Sequence, residues 1–326
     1  MRALRKSLLA LGLVLAALVP VAGALDASLA PSPAKSRTTS PARPPAPREG
    51  GCPILPAENP LNRDISQAPV DPHSAKYIAS IGASLRLHAD FGSNPAYGIP
   101  YRVVGPRQPK VPIHFTAYGA ESNRGPYPIP PDAPVEGAGE AGDRHVLVLQ
   151  AGACRLYELY DARRAGTGWD ADSGAVFDLR SNALRPEGWT SADAAGLPIL
   201  PLLARYPEVH AGRIDHALRV TVARTQSGYI HPATHLASDD ADPDLPPMGL
   251  RLRLKASFGL AGYHGQALVI LRALKRYGLI VADNGSSWYI TGAPSPRWNE
   301  EDLDQLERVP GSAFEAVRTG PILRHR

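Results

Sequence analysis

Proline sets the first limit on what this chain of 326 residues can fold into. Of its 34 prolines, 27 lie beyond residue 50, about double the usual share for that length. Each removes a backbone donor and obstructs the preceding helical turn, so loops must be frequent and long helices rare. Helical periodicity survives in three places. Asp71 then Pro72 reads as a cap with proline at the first helical position, followed by Tyr77, Ile78, Ile81 and Leu85 on one face. Ala267, Ile270, Leu271, Leu274 and Tyr277 repeat similarly, with Arg272, Lys275 and Arg276 late in the pattern and Gly278 as its stop. Asn299 before Glu300, Glu301 and Asp302 caps a short helix carrying Leu303 and Leu306. Strand patterns cover 101–104, 111–118, 145–150, 155–160, 175–180, 214–222, 250–256, 279–281 and 288–291. The last two flank Asp283-Asn284-Gly285, a hairpin signal. Many strands between isolated helices predict a mainly β fold, a β-sandwich or jelly-roll-like domain with a few helical insertions, with α+β as the alternative.

The N-terminal residues read as an export signal and a tether. Arg2, Arg5 and Lys6 precede an apolar run from Leu8 to Val19, too short to span a bilayer, and Ala22-Gly23-Ala24 suits a cleavage site. Residues 1–24 are therefore read as a signal peptide, 25–50 as a disordered proline-rich linker and 51–326 as one β-rich domain, secreted or periplasmic, with no membrane span after cleavage. The formal charge of +4 belongs to the first two parts. Residues 51–326 hold 28 basic and 29 acidic side chains, so nothing electrostatic favours a nucleic-acid backbone as partner. The two cysteines, Cys52 and Cys154, both fall in the exported part, where a disulfide between them is expected.

The wording of Ser181-Asn182-Ala183-Leu184-Arg185-Pro186-Glu187-Gly188-Trp189-Thr190-Ser191-Ala192-Asp193-Ala194-Ala195-Gly196-Leu197-Pro198 resembles a family of secreted, functionally uncharacterised bacterial proteins. Pro246-Pro247-Met248-Gly249-Leu250-Arg251 and the stretch from Lys275-Arg276-Tyr277-Gly278 to Pro296-Arg297-Trp298 are similar to the same group. The resemblance runs from Cys52 to Phe314 and implies an exported protein; it brings no catalytic residues.

Chemistry must come from the residues themselves. No G-x-G-x-x-G, Walker A loop, G-x-S-x-G elbow or H-E-x-x-H is present, so no cofactor is expected. Glu158, on a strand face with Leu156 and Tyr160, and Asp178, on a face with Arg180, would supply a glycosidase's carboxylate pair if their strands were neighbours. His216 or His235 would assist as a base or sugar contact. Of 21 aromatics 16 are Tyr or Trp, and Trp169 and Trp189, with Arg180, are the candidates for binding a sugar face. The expected function is an exported glycan-active protein, a glycoside hydrolase using Glu158 and Asp178. The alternatives are a non-catalytic extracellular carbohydrate-binding or structural module, and a metal-dependent hydrolase using His216, His231 and His235. Asp193, read as a first-turn carboxylate after Ser191, and Asp283, read as a turn residue, are lesser candidates.

Overall fold

The computed structural model describes residues 46–139 and 142–324. The signal peptide and most of the linker lie outside the described residues. Within them the chain begins with β1 (Arg48–Glu49) and β2 (Cys52–Pro53), then α1 (Ser74–Ile81), β3 (His88–Asp90), β4 (Tyr101–Val104) and β5 (Ile113–Phe115). A run of five strands follows: β6 (Val146–Gln150), β7 (Arg155–Tyr160), β8 (Arg163–Ala165), β9 (Gly168–Ala171) and β10 (Ser173–Asp178). A long loop leads to α2 (Tyr206–His210) and β11 (Leu218–Val222). The chain closes with β12 (Arg251–Leu254), α3 (Gly265–Arg276), β13 (Leu279–Asn284), β14 (Tyr289–Thr291), α4 (Glu300–Asp304) and β15 (Phe314–Val317). The fold is mainly β with a few helical insertions, and among the described residues no helix is long and apolar enough to cross a membrane.

A four-stranded sheet, β10-β7-β6-β4, lies between two hydrophobic cores. On β6, Leu147 and Leu149 enter the larger core while Val146 and Val148 enter the smaller one, with β4, β7, Trp169 and Ala171. Period-two geometry sends successive side chains to opposite faces, and with both faces covered the strand is apolar from Val146 to Leu149, ending on the polar Gln150. The larger core is shared with a six-stranded sheet, β15-β12-β13-β11-β14-β3, against which α3 places Ala267, Ile270, Leu271 and Leu274.

The six-stranded sheet corrects one expectation. β13 and β14 do not form a hairpin, because β11 is inserted between them, parallel to β13 and antiparallel to β14. Asn284-Gly285 therefore begins a crossing over the end of β11, where the Gly285 amide donates to the Val222 carbonyl at 3.0 Å. The β11–β13 register also slips at Val220/Thr221: Val220 faces Val281 and Thr221 faces Asp283, leaving Ala282 as the extra residue of a bulge. Helix α1 starts later than expected, since Asp71 accepts from the His73 amide in a preceding turn, and it stops at Gly82 (φ 113°), leaving Leu85 exposed. Asn299 caps α4 as read, accepting from the Asp302 amide. Cys52 and Cys154 are joined in a disulfide spanning 102 residues. Closing a loop of that length contributes about 4–5 kcal/mol in the chain-entropy account.

Candidate functional site

The expected carboxylate pair does not assemble. β7 and β10 are neighbours, but Glu158 stands opposite Ala175 and Asp178 opposite Arg155, three positions along. An odd offset puts the two carboxyls on opposite faces, roughly 10 Å apart along the strands. Glu158 is fully buried, accepting from the Ile199 and Leu200 amides at 3.0 Å where a short 3-10 turn begins. Burial raises its pKa to about 7 against the pull of those two amides. Asp178 accepts from the Arg180 amide in a turn at the end of its strand and lies 4.0 Å from Arg155.

The other expected residues are also placed apart. His216 is sealed in the core, its Nδ1 2.8 Å from the Ala217 carbonyl and its Nε2 3.1 Å from Glu208. His231 pairs with Glu187 at 2.7 Å on the surface. His216, His231 and His235 each have a different partner, and among the described residues no group of three or more His, Cys, Asp or Glu could hold a metal ion. Trp169 is buried in the smaller core under the Arg164 guanidinium, so it offers no ring to a sugar. Trp189 is half-buried beside Arg185. Arg180 donates to the Gly152 carbonyl and lies against the sulfur of Cys154, covering the disulfide.

Of the expected catalytic residues, only His235 lies in a cleft of about 680 Å³ whose walls include Tyr118, Glu121, Asp143, Tyr160, Asp193, Asp239 and Asp283. The 190–197 loop lines it through residues 190–194. The Ser191 hydroxyl donates to the Leu197 carbonyl at 2.6 Å and accepts from the Asp193 amide at 2.9 Å, which turns Asp193 inward in place of the expected helical first turn. Gly196 (φ 74°) is required there, since a Cβ would fall 2.2 Å from the Thr234 hydroxyl and 2.7 Å from the Trp189 carbonyl. The bulge on β13 completes the arrangement. The carbonyl of the extra residue, Ala282, accepts from the Ala195 amide at 3.0 Å, and Asp283 is re-aimed toward the loop.

Arg219, on β11, sits behind these groups. It donates to both oxygens of Asp193, at 2.8 and 3.2 Å, and to the Thr291 hydroxyl at 2.7 Å, with Asp283 3.6 Å away. Asp193 is fully buried, while the Asp283 side chain keeps 23% of its surface open. Burial, and then the charge of Asp193, push the Asp283 carboxyl upward toward neutrality against the pull of Arg219. His235 is fixed from the same loop. Its Nδ1 donates to the Ala194 carbonyl at 2.8 Å, which turns Nε2 toward Glu121, 3.9 Å away.

His145, just ahead of β6, supports the loop from below. It is fully buried, with Nδ1 2.6 Å from Glu136 and Nε2 2.9 Å from the Ala192 carbonyl. Burial would lower its pKa, but the Glu136 carboxylate outweighs that and holds it at about 9. One signal in the sequence could have pointed to this site: Arg219 interrupts the apolar strand Leu218-Arg219-Val220-Thr221-Val222, and a buried guanidinium there calls for polar partners, an acid among the candidates. No family model, curated protein or solved structure matches the chain.

Proposed function

We propose that the protein is an exported glycan-active hydrolase working in the 680 Å³ cleft, with Asp283 as the proton donor. The observation that supports the reading is the meeting of Asp283 and Asp193 on one guanidinium at the cleft wall. Two carboxyls sharing one cation in a buried place hold a proton between them, and the more open of the two, Asp283, is the one that can pass it to a leaving oxygen. His235 Nε2 supplies a base for water on the same cleft. Carboxylates at Glu121 and Asp143 suit the hydroxyls of a sugar chain, and Tyr118, exposed by 48% at the cleft, suits a sugar face. Among the described residues no lysine or arginine lines the cleft, which disfavours sulfated or uronate chains and favours neutral or amino sugars.

The test is release of reducing ends from neutral, deacetylated and uronate polysaccharides by the purified domain. Asp283→Asn should lower release on the responsive substrate by about 10²-fold or more while chain binding persists. Undiminished release in that variant would remove Asp283 from the mechanism. Binding without turnover on every substrate would replace hydrolysis by the non-catalytic carbohydrate-binding reading.

A further inference from the structure

We infer that His145 is a positioning residue, a buried imidazolium that holds the 190–197 loop in place through the Ala192 carbonyl. The inference deepens the proposed function, on which only its enzymatic readout rests. Both ring nitrogens lie at hydrogen-bond distance from groups that can only accept, the Glu136 carboxylate at 2.6 Å and the Ala192 carbonyl at 2.9 Å. A neutral imidazole has one N–H and can satisfy one of them; the ring fills both roles only when doubly protonated. With 1% of its surface exposed, His145 has no water to make up the difference.

What the ring holds is the segment that carries the site. Ala192 precedes Asp193, whose carboxylate meets Arg219, and Ala194 supplies the carbonyl that fixes the His235 tautomer. Loss of the second ring proton takes the ring from one of its two acceptors; Glu136, which also accepts from the His145 amide at 3.2 Å, retains the remaining N–H as the charged partner, and the Ala192 carbonyl is the one left unpaired. The Ala192 carbonyl is then released, and the loop loosens where Asp193 and His235 depend on it. The charged and titratable groups around the ring act in both directions. Glu136 from the preceding 3-10 turn and Asp143 on the approach to β6 favour the cation, and Arg219 from β11 opposes it. From β7, the Glu158 carboxyl also interacts with the ring, and the Tyr160 ring packs 5.7 Å from it.

The experiment has three arms on the folded, disulfide-bonded protein. Nitrogen-resolved NMR of the histidine rings should show both nitrogens of His145 protonated at pH 7; a single ring proton there overturns the inference. Hydrogen exchange of the 192–195 amides, corrected for intrinsic rate, should accelerate about tenfold or more as pH rises through the ring's titration near 9. Exchange that ignores that titration also overturns it. Glu136→Gln should move the ring titration and the loosening of the loop down together by at least one pH unit. Leu274→Ala, a core truncation in α3, should lower overall stability without shifting either. If Glu136→Gln does not fold, the first two arms decide with the native protein. If sugar release exists, its kcat should fall with the same ring titration; absence of any release counts against the hydrolase and leaves the ring and exchange results standing.

Discussion

At Arg205 one carboxylate serves two nitrogen-bearing partners, whereas at Arg219 two carboxyls compete for one guanidinium. Glu208 gives one oxygen to Arg205 at 2.6 Å and the other to His216 at 3.1 Å, and Arg205 also donates to the Leu200 carbonyl. Burial would raise the Glu208 carboxyl, but Arg205 and His216 outweigh it and hold it below the usual range. Asp283 has the reverse balance. Asp193 already takes two donors of Arg219, so burial and the neighbouring charge push Asp283 upward. Two buried centres made from similar side chains thus differ by the ratio of acids to bases. One is an ionic tie between α2 and the approach to β11, in which only the Arg205 Nε lacks a partner, and the other leaves a carboxyl of raised pKa beside open space.

The largest effect is expected where pairing is lost without replacement. Arg219→Met strands Asp193 in the core and should cost about 3–5 kcal/mol in urea unfolding at pH 7. A loss under about 1 kcal/mol would mean that Arg219 is not the partner that makes the buried carboxylate tolerable. Arg205→Met should cost less, about 1–3 kcal/mol, because Glu208 keeps His216 and 14% of its side-chain surface. Equal losses at the two arginines would break the contrast.

Asp283→Asn should stabilise the protein at pH 8 by about 1 kcal/mol, the scale of one pKa unit, while abolishing its proposed chemistry. The folded carboxyl binds its proton more tightly than the unfolded one, so ionisation costs stability progressively as pH rises from the unfolded value through the raised folded value. The gain should therefore vanish near pH 3, where both states are protonated, and thermal melts at the two pH values check it. Glu208 has the opposite sign. Its depressed pKa adds stability that is present above the unfolded value and lost as pH falls through the folded one. The stability difference between the native protein and Glu208→Gln should shrink only on the acid side. A difference that shrank toward alkaline pH instead would overturn the assignment of Glu208 as the ionised member.

How much of this was legible depended on the range of the cause. The strands 101–104 and 155–160 match β4 and β7, because alternation and flanking turns act over a few residues. The Asn299 cap and the late basic residues of α3 read correctly for the same reason. The Asn284-Gly285 hairpin did not form, since turn chemistry allows a hairpin but does not choose the neighbouring strand, and β11 offered a parallel partner for Leu279–Asn284. Glu158 looked catalytic because a carboxylate on a strand suggests solvent. Two backbone amides at the start of a turn explain it instead. Asp193 and Asp283 were visible as residues, yet each had a local explanation sufficient to hide it.

By itself the sequence determined a mainly β chain, three of the four α-helices among the described residues to within a few positions (α2 was missed), a compatible pair of cysteines and a near-neutral balance beyond residue 50. Those are properties of spacing, turn chemistry and counting. Only the tertiary structure decided that Arg219 would clasp Asp193 from 26 residues away and that a one-residue bulge would turn Asp283 toward both. The physical reason is that loop closure costs only the logarithm of chain length, so distant partners are nearly as accessible as near ones. Burial then selects among them by which charges can be left without water.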